Sequence, residues 1–265
     1  MPAASAGRLP LTATARTVAA VVASLLTLAI LLGGRVPEAV HWMSHFPDKL
    51  LHALAYGLLA GCWCAALGGR RRALAIAMAV ATGLLDEWLQ RSIPGRQSDV
   101  ADLVADGAGA TIGAWLALPV VGLLLRLPAW LRAATIYFAC VFGAGFTLGM
   151  VRVPLLEPMI GARAAQLLEM PLMVAVIVLC ARWLVRRDRE GIGGGGWLGA
   201  GVLAAAGVLV ADLGVGVLLL GMTAWQVIAG RDFAAGLAYY TAITAFALAP
   251  SILARMRTAK GSGRS

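Results

Sequence analysis

Charge is what this sequence has least of. Only 13% of its 265 residues are Asp, Glu, Lys or Arg, and the mean hydropathy is +0.84. That scarcity excludes an ordinary soluble domain, about a quarter of which would be charged. Histidine is limited to His41, His45 and His52. His41 and His45 are four apart, but they fall in a loop and read as solvated. No nucleophile motif is present. The cysteines, Cys62, Cys64, Cys140 and Cys180, lie inside apolar stretches without metal-ligand spacing, so they read as small packing residues. No small-x-small cleavage site precedes Arg35, which makes the first apolar run an uncleaved anchor and not a signal peptide. Nor is there a basic module interleaved with aromatics, and a nucleic-acid partner is excluded despite the net charge of +9.

What is present is a series of apolar runs of about 17–25 residues, the length that crosses a bilayer as a helix. Backbone polar groups in lipid must bond internally, and the strands of a barrel would alternate in hydropathy, which these runs do not. The fold class is therefore all-α, a polytopic integral membrane protein with about eight transmembrane helices. The expected segments are 17–33, 48–68, 73–91, 99–125, 132–150, 165–185, 197–222 and 235–254. They group into a four-helix domain over 1–126, a second four-helix module over 127–254 and a basic, disordered tail over 255–265. The two halves show no residue-level repeat. With both termini cytoplasmic, inner segments hold 15 Lys and Arg and outer segments 7, as the positive-inside rule requires. Trp42, Trp88, Trp130, Trp183 and Trp225 fall near segment ends, where interfacial tryptophan belongs.

Against this apolar background, residues 86–106 hold four Asp, one Glu and two Arg. Ionisable groups entering a bilayer are costly and face the bundle interior, which makes such a cluster a functional candidate. The second segment opens with Asp48, His52 and Tyr56 at i, i+4 and i+8, on one helix face, and continues with Gly57 and Gly61. Glu87 and Gln90 share a side of the third segment, while Trp88 points elsewhere. Pro94-Gly95 turns the chain. Asp99, Asp102, Asp106, Gly109 and Gly113 form one stripe of the fourth segment. Asp106 falls roughly 10 Å from the helix start, too deep for the helix dipole alone, and needs a partner such as Arg96, His52 or water. The three faces converge on an outer pocket in which Asp48, His52, Tyr56, Glu87, Gln90, Arg96, Asp102 and Asp106 are the candidates, with the four glycines as helix-packing positions.

These motifs, an Asp-Lys-x-x-His-x-x-x-Tyr opening, Glu87-x-x-Gln90, Gly95-Arg96 and Asp102-x-x-x-Asp106-x-x-Gly109-x-x-x-Gly113, resemble the VanZ-like family over residues 15–126. At Asp106 the family often carries Asn. The resemblance implies a bacterial inner-membrane, multi-pass protein, and an association with susceptibility to the glycopeptide teicoplanin. It implies no defined reaction. Residues 127–254 resemble an uncharacterised four-helix membrane module with Arg152, Glu157, Arg163 and Glu169 at the outer face. Asp212 is the other deep acid there, and reads as packing more readily than as a cross-helix pair.

Three functional readings compete. The first is binding of an envelope lipid or lipid-linked precursor, with Arg96 on its phosphate. The second is a membrane-embedded enzyme acting on a lipid phosphate or glycan. There His52 would be the general base, Glu87 or Asp102 the acid, and a divalent ion could sit among Glu87, Asp102 and Asp106. The third is a proton-coupled transporter, which the lack of a broken helix at the midplane disfavours. The expected partners are membrane lipids. No cofactor and no metal site is assigned, and the oligomeric state is left open.

Overall fold

The computed structural model describes residues 11–33, 47–91 and 100–262. All regular structure among the described residues is helical. In chain order the elements are α1 (Ala13–Gly33), α2 (Asp48–Ala66), α3 (Arg72–Gln90), α4 (Val100–Arg126), α5 (Ala129–Val151), α6 (Glu157–Ile160), α7 (Ala162–Arg187), α8 (Gly194–Gly214), α9 (Ala224–Ala229) and α10 (Phe233–Ser262). Eight of these are long and apolar enough to cross a membrane. Contacts divide the chain into two units, Met1–Arg126 and Leu127–Ser265.

In the first unit the usual sizes of core and surface residues are exchanged. The centre is built from Ala23, Ala60, Ala75, Ala79, Ala110 and Ala114 around Tyr56 and Leu59. Leu54, Leu58, Leu84, Ile112, Trp115 and Leu123 point outward. In water this would be a large exposed apolar patch. In lipid it is what the solvent requires, because small residues then drive helix association through close packing. The closest approach is between α2 and α4, where Gly57 and Gly61 lie against Gly109 and Gly113. A Cβ on Gly109 would enter the Ala53 backbone, and one on Gly113 the Gly57 carbonyl. The contacts advance together along both helices, so α2 and α4 run parallel, with α3 antiparallel beside them.

The turn from α2 to α3 is made by Gly68 and Gly69, with φ of 72° and 75°. The left-handed region is costly for residues with a side chain. Their amides close the helix by donating to Ala65 O and Cys64 O at 3.0 and 2.8 Å. Arg16 of α1 donates to Ala66 O nearby, at 3.0 Å. Arg72 opens α3 with its guanidinium 4.4 Å from the Trp115 ring centroid.

The second unit has larger core residues: Tyr137, Ile177, Trp197 and Phe246. The Tyr137 and Phe246 rings are 4.4 Å apart, and the Tyr137 hydroxyl donates to Ile177 O at 3.2 Å. Three details depart from the sequence-based expectation. First, the expected segment 197–222 is shorter as an α-helix. It passes into a π-turn over Val215–Leu219, and Gly221 then adopts a φ of 64°. Gly214, Gly216 and Gly221 weaken continuous helix there. Second, Arg152–Leu156, which contains Pro154, is also π-helical. Third, α10 runs to Ser262, through most of the tail expected to be disordered. Arg255 to Lys260 are mostly good helix formers, and Arg257 is tied to Val185 O at the end of α7.

Candidate functional site

The N-terminal turns of α2 and α4 and the last turns of α3 meet at one end of the first unit. There Asp86, Glu87, Gln90, Asp102 and Asp106 are all buried. Asp106 is 1% exposed, and its Oδ1 lies 2.8 Å from His52 Nδ1. His52 is thus the partner that depth demands of Asp106. The other ring nitrogen, Nε2, faces Asp48 Oδ1 at 3.9 Å, beyond hydrogen-bond reach. Lys49 is paired with Asp102. Gln90 donates to Asp86 Oδ2 at 2.8 Å, one helical turn away.

Tyr56 lies one turn inward of His52, with ring centroids 6.1 Å apart and nearly parallel. Its electrostatic neighbours are Asp86, Asp106 and Glu87. Gly83 makes room for Asp106, since a Cβ there would come within 2.5 Å of Asp106 Oδ2. Glu87 interacts electrostatically with Asp102, His52, Asp86 and Asp106. Its Oε2 and Asp106 Oδ2 are buried with no hydrogen-bond partner among the described residues. Trp88 turns away and is exposed.

Of the residues singled out from the sequence, Asp48, His52, Tyr56, Glu87, Gln90, Asp102 and Asp106 come together here. Arg96 lies outside the described residues, as do Asp99, the Pro94-Gly95 turn, Trp42, His41 and His45. Two members of the cluster were missed. Asp86 is four residues before Gln90, and with Ala79 and Thr82 it continues the buried face of α3, so the helical period held the signal. Lys49 carried no such signal, because its partner is 53 residues away. The metal-capable set also differs from the one considered from sequence. Among the described residues, the groups whose ligand atoms lie within 4.8 Å of one another are Asp48, His52 and Asp102.

In the second unit, Asp212 is a cross-helix partner and not a packing residue. It accepts from Arg231 Nη2 at 2.5 Å and from the Tyr239 hydroxyl at 3.1 Å. Arg231 also sits 4.0 Å from the centroid of the Tyr239 ring. Arg152 binds Glu157, and its Nε lies 2.7 Å from Glu169 Oε2. Arg163 is instead an exposed residue 3.3 Å from Asp232.

Fold and site together define a helical, multi-pass membrane protein with a buried carboxylate cluster at one end of its first unit. Residues 11–126 match the VanZ/LLP1 family model, and over that stretch the chain is similar to VanZ-like membrane proteins. No curated protein and no solved structure gives a significant match to the chain.

Proposed function

We propose that the polar end of the first unit binds the headgroup of an envelope lipid or lipid-linked precursor in a bacterial inner membrane, with both termini cytoplasmic and the site on the outer face. The observation that carries the reading is the burial of Asp86, Glu87, Gln90, Asp102 and Asp106 in a unit otherwise packed through alanine and glycine. Small residues alone would hold these helices, so the desolvation cost of the acids calls for a return other than packing. Carboxylates accept hydrogen bonds from the hydroxyl and ammonium groups of a headgroup. Lys49 and Arg96 supply the positive charge for a phosphate. Through such binding the protein would alter susceptibility to teicoplanin-type glycopeptides.

The test is lipid analysis of the detergent-purified protein beside Arg96→Ala and Asp102→Asn at equal abundance. Enrichment of one envelope lipid that both variants lose supports the reading. A lipid profile equal to bulk membrane overturns it. One observation favours a second reading, a membrane-embedded hydrolase or transferase. Asp106 holds His52 through Nδ1, as an orienting carboxylate holds a general base. Turnover of the enriched lipid, lost in His52→Ala, would select that reading.

A further inference from the structure

We propose that the end of the first unit opposite the carboxylate cluster binds the phosphodiester of an anionic phospholipid, with Arg16, Arg71 and Arg72 as its cations and Trp115 as the platform that orients Arg72.

Charge is segregated along this unit. No Asp or Glu occurs in residues 1–37, 49–85 or 107–126, whereas Arg16, Arg70, Arg71, Arg72 and Arg126 all lie at this end. On α3 the acid closest in sequence to Arg72 is Asp86, about 21 Å farther along the helix. That is beyond direct pairing and beyond the screening length of about 8 Å at physiological salt. Among the described residues no acid pairs with any of these five arginines. A basic cluster of this kind at a membrane surface attracts anionic headgroups, by about fivefold in affinity for each Arg near the surface.

Two of the arginines are held in place. Arg16 of α1 donates from Nε to Ala66 O at 3.0 Å and lies against the turn, where a Cβ on Gly68 would be 3.5 Å from its Cζ. Arg72 has its guanidinium 4.4 Å from the Trp115 ring centroid, and its Nε is buried with no hydrogen-bond partner among the described residues. The Cys64 thiol beside it is a weak acceptor. A buried guanidinium nitrogen needs an acceptor. Held on an aromatic ring, the guanidinium keeps its fork at a fixed angle, which suits the paired oxygens of a phosphate.

The surroundings identify the source of that phosphate. Trp115 is 58% exposed, and Leu74, two residues beyond Arg72, is 45% exposed. Acyl chains cover such surface while the phosphate reaches the arginines. A headgroup without a cation of its own fits, because this end offers no acid to meet an ammonium.

The site is separate from the headgroup reading above, which concerns the other end of the same helices, and does not rest on it. The full chain is purified, stripped of lipid by detergent exchange, and titrated with dioleoylphosphatidylglycerol, dioleoylphosphatidylcholine or inorganic phosphate. Bound lipid is counted by native mass spectrometry. The phosphatidylglycerol should bind roughly tenfold more tightly than the phosphatidylcholine and lose affinity as salt rises. Arg72→Gln should weaken it roughly tenfold or more, the scale of one charge-assisted hydrogen bond. Arg71 is exposed, so Arg71→Gln keeps the fold and should weaken binding about fivefold. Arg163→Gln in the second unit should change nothing. Equal affinity for the two lipids overturns the proposal, as does displacement of the lipid by inorganic phosphate at the same concentration. Binding that survives both Arg71→Gln and Arg72→Gln but is lost in Asp102→Asn belongs to the other end, and also overturns it.

Discussion

At the scale of single residues, one glycine of the first unit acts through the space it leaves. Gly83 leaves the volume in which the Asp106 carboxylate sits. Gly83→Ala forces that carboxylate or α3 to shift, and overpacking of this kind costs about 1–3 kcal/mol. The thermal midpoint in detergent should fall accordingly. A second contrast lies in the arginines. Arg152 is mostly buried between Glu157 and Glu169, whereas Arg163 is 65% exposed beside Asp232. Arg163→Met should cost no more than about 1 kcal/mol, as exposed pairs do. Arg152→Met strands two carboxylates and should cost clearly more, approaching the roughly 3–5 kcal/mol of a broken buried pair. Equal midpoints for the two variants would contradict the burial seen here. Local spacing made shared faces readable, such as Asp48 with His52 or Glu87 with Gln90. It did not reveal partners across helices. That Lys49 meets Asp102, or that Asp212 meets Arg231 and Tyr239, depends on how helices pack, and no local period records it.

At the scale of elements, the parallel pair α2 and α4 is governed by backbone contact. Gly113→Leu or Gly109→Leu should separate the helices, and protease resistance or folded yield in detergent should collapse. Gly107, also in α4, has nothing within 4 Å of a built Cβ. Gly107→Ala should leave the fold intact and add up to about 1 kcal/mol through helix propensity. The positions of the long helices were readable because apolar length alone marks them. The π-turns were not. A π-turn adds one residue to a helical turn and leaves the hydropathy of the run unchanged. The extension of α10 to Ser262 was hidden for the opposite reason. A charged, glycine-containing end resembles a tail in composition, while the contact of Arg257 with Val185 O is tertiary.

At the scale of the whole molecule, each unit carries its own core, one centred on Tyr56 and Leu59, the other on Tyr137 and Phe246. A chain ending after Arg126 should therefore insert in the membrane and resist proteolysis as the full chain does over the same residues. Rapid degradation of that fragment would show that the first core is insufficient. With eight spans, reporters fused to the two termini should both report the cytoplasmic side. Reporters on opposite sides would remove one span from the count.

The parallel arrangement of α2 and α4 has a consequence in time. Helices adjacent in sequence can pair as soon as the second is made, but α2 finds its closest neighbour only after α3 and α4 have followed it out of the ribosome. The stretch from Ala66 to Arg126 takes on the order of 3–12 s at about 5–20 residues per second. During those seconds His52 and Lys49 lack Asp106 and Asp102, and the glycine face of α2 is open to lipid or to whatever guides the nascent chain. The moment at which this end of the protein acquires its chemistry is therefore set by the emergence of its fourth helix.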